Sequence, residues 1–196
     1  KGFTYIGFNN IKNFRSKLMS IGLNEDLVTN RNVVYLYLIK YLSVVTKDQL
    51  CQLMHLLRRD IHKAIKDLNS LDSSASKFLI DVESDLNNSE NLYYRASKYA
   101  SSYLSYFTDI ENIRYTKTVK YINHFSKIND FYLSLFRDSC CTRLTIEHEI
   151  DFSEGMIFDE NSSKNKILTD AVIRTTFNGT VSTIFLELDN GTEGIA

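Results

Sequence analysis

The sequence predicts an α+β protein, with a helical, basic amino-terminal part and a small β-rich, acidic carboxy-terminal part. Three observations carry that expectation. Apart from one strand-like pair over 77–96, apolar residues recur at three- and four-residue spacing up to about residue 136, then alternate with polar ones after Thr142; these are the periods of helix and strand. Charge divides at nearly the same place. Residues 1–144 hold 20 basic against 14 acidic side chains, a balance of +6, and residues 145–196 hold 3 against 10, a balance of −7. With 43% hydrophobic and 24% charged residues, the chain has enough apolar material for a core and does not read as disordered.

Four segments follow: a helical extension over 1–30, a unit of helices and one hairpin over 31–108 (the part read below as DNA-binding), a connecting or dimerisation helix over 109–140, and the β-rich acidic part over 141–196. In the first, Asn10 to Met19 predicts a short helix that Gly22 ends as a left-handed cap. Arg31 to Leu42 is apolar on nearly every face and predicts a central, buried helix. Thr46-Lys47-Asp48-Gln49 is a capping box, with Gln49 three places after the N-cap. It opens a short helix with Leu50, Leu53 and Met54 inward. A turn near His55-Leu56-Leu57 leads to a helix over Arg58–Leu71, with Leu57, Ile61, Ala64, Ile65 and Leu68 on one stripe. Lys77–Glu83 and Asn91–Ala96 read as a hairpin across a polar loop. Helices are expected again from Ser97 to Tyr106 and from Ile113 to Phe136. Beyond Thr142, strands are expected over Leu144–Ile150, Ala171–Thr176 and Thr180–Leu188, with Asn178-Gly179 as a two-residue hairpin turn.

Helix, short capped helix, basic helix, hairpin is the order of a winged helix-turn-helix. In that arrangement the second helix props the third so that its exposed stripe enters the major groove of double-stranded DNA. The stripe here holds Arg59, Lys63 and Lys66, flanked by Arg58 and His62, and these residues suit phosphates or guanine edges. Arg95 and Lys98, beside the second wing strand, suit phosphates. A second basic face, Arg114, Lys117, Lys120, His124 and Lys127, reads as ordinary solvation of a long helix. The long helix Ile113–Phe136 is the expected seam of a homodimer.

Glu147, Glu149, Asp170, Glu187 and Asp189 form an acidic end that could bind a divalent metal and activate water for phosphodiester cleavage. A degenerate restriction-endonuclease-like fold is one form this part could take. Asp189 stands where nucleases of that kind carry a lysine, so the helper for developing negative charge is missing. No Gly-x4-Gly-Lys-Ser/Thr loop and no His-hydrophobe-His pair occurs, which removes ATP-driven and relaxase-type metal chemistry. Three cysteines, two of them adjacent, suit reduced thiols in the cytoplasm. No apolar run reaches the ~20 residues that span a bilayer, and no signal pattern opens the sequence.

Three stretches together resemble the replication-relaxation family of plasmids and integrative elements. They are Thr46-Lys47-Asp48-Gln49-Leu50 through Leu68, with Tyr93-Tyr94-Arg95-Ala96-Ser97; His124 through Asn129-Asp130-Phe131; and Thr169-Asp170-Ala171 with Leu186-Glu187-Leu188-Asp189-Asn190-Gly191-Thr192-Glu193. Thr169 stands where the family has proline. The resemblance implies a DNA-binding protein of replication, relaxation or conjugative transfer, working with other replication or relaxosome proteins. The expected function is therefore sequence-specific binding of double-stranded DNA without catalysis and without a cofactor. Two alternatives stand beside it: a metal-dependent nuclease using Asp170 and Glu187, with Glu147, Glu149 or Asp189, or a winged-helix transcriptional repressor.

Overall fold

The computed structural model describes residues 14–54, 57–71, 78–84, 92–107, 122–151 and 168–188. Within them the order is α1 (Phe14–Ser20), α2 (Arg31–Tyr41), β1 (Val45–Thr46), α3 (Lys47–Met54), α4 (Ile61–Asn69), β2 (Ile80–Ser84), β3 (Leu92–Ala96), α5 (Lys98–Ser105), α6 (Ile122–Arg137), β4 (Cys141–Asp151), β5 (Leu168–Phe177) and β6 (Thr180–Leu186). The protein is α+β. Two antiparallel three-stranded sheets are formed, ordered β1-β3-β2 and β4-β5-β6. No described helix is long and apolar enough to cross a membrane.

Helix α1 stops where a left-handed residue is available. Gly22 takes φ 102°, its N–H donates to the Met19 carbonyl at 3.1 Å, and the Leu23 N–H reaches back to Leu18 at 3.2 Å. That double bond is a Schellman ending, and the apolar residues at its two ends, Leu18 and Leu23, are both buried. Asn30 caps α2 by accepting from the Val33 N–H. Every residue from Val33 to Lys40 is buried, so α2 runs through the middle of the protein.

The capping box of α3 forms in both directions. The Gln49 N–H donates to Thr46 Oγ1 at 3.2 Å, and the Thr46 N–H donates to Gln49 Oε1 at 2.9 Å. A 3-10 turn over Arg58–Asp60 precedes α4, which buries Ile61, Ile65 and Leu68. Leu57, expected on that inward stripe, is 59% exposed. Leu57 precedes the 3-10 turn with extended backbone, so the helical period does not reach it. At the hairpin between β5 and β6, Asn178 (φ 48°) and Gly179 (φ 84°) both take left-handed conformations. This is the two-residue turn expected for Asn-Gly, and it brings Phe177 opposite Thr180.

One apolar cluster joins the elements. It runs from Leu18 and Leu23 through α2, α3 and α4 to Tyr132 and Phe136 of α6, and on to Leu144, Ile146 and Ile173 of the carboxy-terminal sheet. Most apolar positions of α6 are taken up within this chain: Phe125, Ile128, Tyr132, Leu133 and Phe136 are buried, whereas Phe131 is exposed. The expected start of that helix, Ile113 to Tyr121, lies outside the described residues.

Polar side chains satisfy part of one edge of each sheet. On β4, Ser20 Oγ accepts from the Leu144 N–H at 3.1 Å and donates to its carbonyl at 3.2 Å. Tyr41 does the same for Ile146, accepting at 2.8 Å and donating at 3.1 Å. On β2, Asn69 uses both halves of its amide on Ile80, at 2.7 and 3.2 Å. Each side chain stands in for a missing strand and satisfies groups that would otherwise template further pairing.

The junction between α2 and β1 holds a strained residue. Ser43 takes φ 64°, a conformation that costs a non-glycine residue about 1–2 kcal/mol. Asn129, fully buried on α6, spans it: its amide donates to the carbonyls of Leu42 at 2.9 Å and Val44 at 2.7 Å. Replacing Asn129 with Ala removes two buried hydrogen bonds, although the Leu42 carbonyl keeps the Val44 N–H at 2.7 Å, so a loss of about 1–3 kcal/mol is expected in urea unfolding. Ser43→Gly relieves the backbone and is expected to raise the midpoint in the same measurement, by up to about 1 kcal/mol.

Candidate nucleic-acid interface

Helix α4 divides cleanly because its apolar and charged residues have the same helical period. Ile61, Ile65 and Leu68 face the core, whereas His62, Lys63 and Lys66 are exposed. Arg58 and Arg59, on the 3-10 turn, extend the exposed stripe toward the amino-terminal end. Among the described residues His62, Lys63 and Lys66 have no ion pair. Arg59 lies 3.7 Å from Asp60, a loose contact between exposed groups. Arg58 is held differently. Its Nε lies 2.7 Å from Asp48 Oδ1 and its Nη2 lies 3.2 Å from Asp48 Oδ2, a two-point contact to the first turn of α3.

The other two expected contacts differ in exposure. Arg95 is half-buried on β3, directly across from Asp81 on β2. Lys98 is exposed at the start of α5, its ammonium 5.1 Å from the centre of the Tyr99 ring. The five residues Arg58, Arg59, His62, Lys63 and Lys66 therefore make a continuous exposed basic edge, and Arg95 is set back from solvent. Of the second basic face, Arg114, Lys117 and Lys120 lie outside the described residues.

Residues of the second and third resembling stretches meet one another across α6. His124 Nε2 lies 2.9 Å from Asp170 Oδ1, and the other Asp170 oxygen accepts from the Leu188 N–H at 2.7 Å. Gln49, from the first stretch, donates through its amide to the Ser126 carbonyl at 2.7 Å and to Asp130 Oδ1 at 2.8 Å. Asn129 holds the α2–β1 junction. These residues bind the helices to both sheets. Capping rules give Gln49 only its local role, and nothing in the periodicity assigns Asn129 one. An Asn within the apolar stripe of α6 is the signal that would have found it.

Of the acidic residues, Asp170 has both oxygens engaged, Glu147 pairs with Arg174, and Glu187 is exposed just after β6. Asp189 and the Glu149 side chain lie outside the described residues. Among the described residues, no three His, Cys, Asp or Glu side chains come together as a metal-binding group. No family model, curated protein or solved structure matches the chain.

His148 lies on β4 beside this cluster; in the sequence it is one of four scattered histidines and nothing marks it. Both ring nitrogens are buried without a hydrogen-bond partner among the described residues, and the ring packs 5.1 Å from that of Phe125. Burial, with a smaller contribution from nearby His124, pushes its pKa down to about 4. The folded state therefore binds fewer protons at this site than the unfolded chain. Full stability from this group is present above pH ~6.5 and is lost as pH falls through the folded value of about 4. Urea midpoints measured from pH 7 to pH 4 are expected to show a loss on the order of 3 kcal/mol. His148→Phe is expected to flatten that part of the profile.

Proposed function

We propose that the chain is a winged-helix protein that binds double-stranded DNA, with α4 in the major groove. One observation carries the reading: an exposed basic edge on the helix that α3 props and that the β2–β3 hairpin follows. The order α2-β1-α3-α4-β2-β3, with sheet order β1-β3-β2, supports the same reading. In that arrangement the hairpin is the wing, α3 supports α4 from behind, and the amino-terminal end of α4 meets the bases.

The basic residues divide the work by reach and by partner. Arg59, Lys63 and Lys66 neutralise phosphates or reach base edges, and the whole edge supplies the salt-dependent part of the affinity. Lys98, at the foot of the wing, suits the flanking backbone. The resemblance to the replication-relaxation family supports action at a replication or transfer origin of a plasmid or mobile element. Asp170 already bonds His124 and the Leu188 N–H, which gives it a role in joining α6 to the carboxy-terminal sheet and supports binding without cleavage.

Binding of a mixed-sequence duplex, followed by fluorescence anisotropy against salt, tests the reading. The combined variant Arg59→Ala, Lys63→Ala, Lys66→Ala is expected to bind more weakly. Its log–log salt slope is expected to be shallower by ~0.9 for each phosphate that is no longer neutralised. An unchanged affinity and slope in a folded variant would put the interface elsewhere.

A further inference from the structure

Arg58 and Asp48 form an exposed ion pair between two helices, and the way it is made is specific. A guanidinium has two edges on which paired donors lie side by side: one from Nε and Nη2, the other from Nη1 and Nη2. Asp48 occupies the first, at 2.7 and 3.2 Å. The second is turned away from the carboxylate, and both side chains are more than half exposed. Asp48 lies in the first turn of α3, where the helix dipole favours its negative charge. Arg58 lies at the entry to α4, on the exposed stripe with His62 and Lys66.

A simple contribution to affinity does not explain this pair. An exposed ion pair is worth little in stability, and a carboxylate beside a polyanion's binding edge opposes binding of any phosphate backbone. What the pair does is hold the fork of Arg58 in one orientation with one edge presented outward. The outward edge has the spacing of the two acceptors, O6 and N7, that guanine shows in the major groove. The carboxylate also penalises the alternative in which Arg58 swings away to a phosphate.

Resting on the DNA-binding reading above, we propose that Arg58 reads a guanine in the major groove and that Asp48 is the positioning residue that fixes it for that contact. Lys63 and Lys66, as flexible point charges, lack the fork that this contact needs.

The experiment uses the full chain and a pool of randomised double-stranded DNA, from which bound duplexes are selected and sequenced. The same chain is titrated with one mixed-sequence duplex across a salt series. The variants are Asp48→Asn, Asp48→Glu and Arg58→Lys, each checked for folding by its thermal melt. Wild-type protein is expected to enrich sites with one fixed G·C pair. Arg58→Lys is expected to lose preference at that pair by roughly 5- to 150-fold. Asp48→Asn is expected to lose it too, while binding the mixed duplex at least as well. Its salt slope is expected to steepen by ~0.9, because the released Arg58 can pair with a phosphate instead. Asp48→Glu, which keeps the carboxylate, is expected to restore part of the preference.

Opposite movement of selectivity and salt slope separates positioning from a structural role, which would lower both. Full guanine preference in Asp48→Asn overturns the role of Asp48, and full preference in Arg58→Lys overturns that of Arg58. Failure of the wild-type chain to bind any duplex overturns the DNA-binding reading itself, and this proposal with it.

Discussion

Both sheets of this protein are small, and at one edge of each, on β4 and β2, outward amides and carbonyls lie against the helices and need partners there. The helices supply them. Ser20, Tyr41 and Asn69 each satisfy the donor and the acceptor of one edge residue, Leu144, Ile146 and Ile80 respectively. Because an unpaired buried backbone group costs as much as a broken hydrogen bond, these bonds determine where each sheet sits against the helices. Tyr41 comes from α2 and Ser20 from α1, so the carboxy-terminal sheet is held by the amino-terminal elements. Asn69, the last residue of α4, ties the proposed recognition helix to the strand that leads into the hairpin.

Helix α6 completes the arrangement from the other side. Its apolar residues join the cluster that includes α1, α2 and β4, while its polar residues reach out of the same stripe. Asn129 holds the carbonyls on either side of left-handed Ser43, and Gln49 of α3 reaches Ser126 and Asp130. Lys17, buried on α1, donates to the Phe136 carbonyl at 2.7 Å and to those of Leu135 and Asp138 at the end of α6. An ammonium there offsets the partial negative charge of the helix terminus, although burial lowers its pKa. The prop of the proposed recognition helix is thus anchored by a buried polar bond, and its position does not depend on apolar packing alone.

The resembling stretches have a common physical meaning. Gln49, His124, Asn129, Asp130 and Asp170 are polar residues at the junctions between elements, where each makes a directional bond that apolar side chains cannot make. A polar residue in such a place selects one packing among several that would bury the same apolar area. The basic edge of α4 is the opposite case, since it is exposed and contributes nothing to packing. Its arrangement follows only from helical period and from the ion pair that Asp48 makes with Arg58.

Local features were legible in the sequence because their causes are local. The capping box at Thr46 and Gln49, the glycine ending of α1, the Asn178-Gly179 turn, the buried α2 and the basic face of α4 each depend on residues within a turn or two of one another. The α+β class followed from the change of hydrophobic period after Thr142. Tertiary structure alone decided which polar groups meet: Asn129 with the α2–β1 junction, Asp170 with His124, Asn69 with Ile80, and Asp48 with Arg58. It also decided that Leu57 turns outward, that Arg95 sits back from solvent, and that the ring nitrogens of His148 are buried. Those outcomes depend on groups from 10 to more than 100 residues apart in the chain, such as Arg58 and Asp48 or Tyr41 and Ile146. Hydrophobic period and capping rules describe one element at a time, so they carry no information about such pairs until the chain has closed around its core.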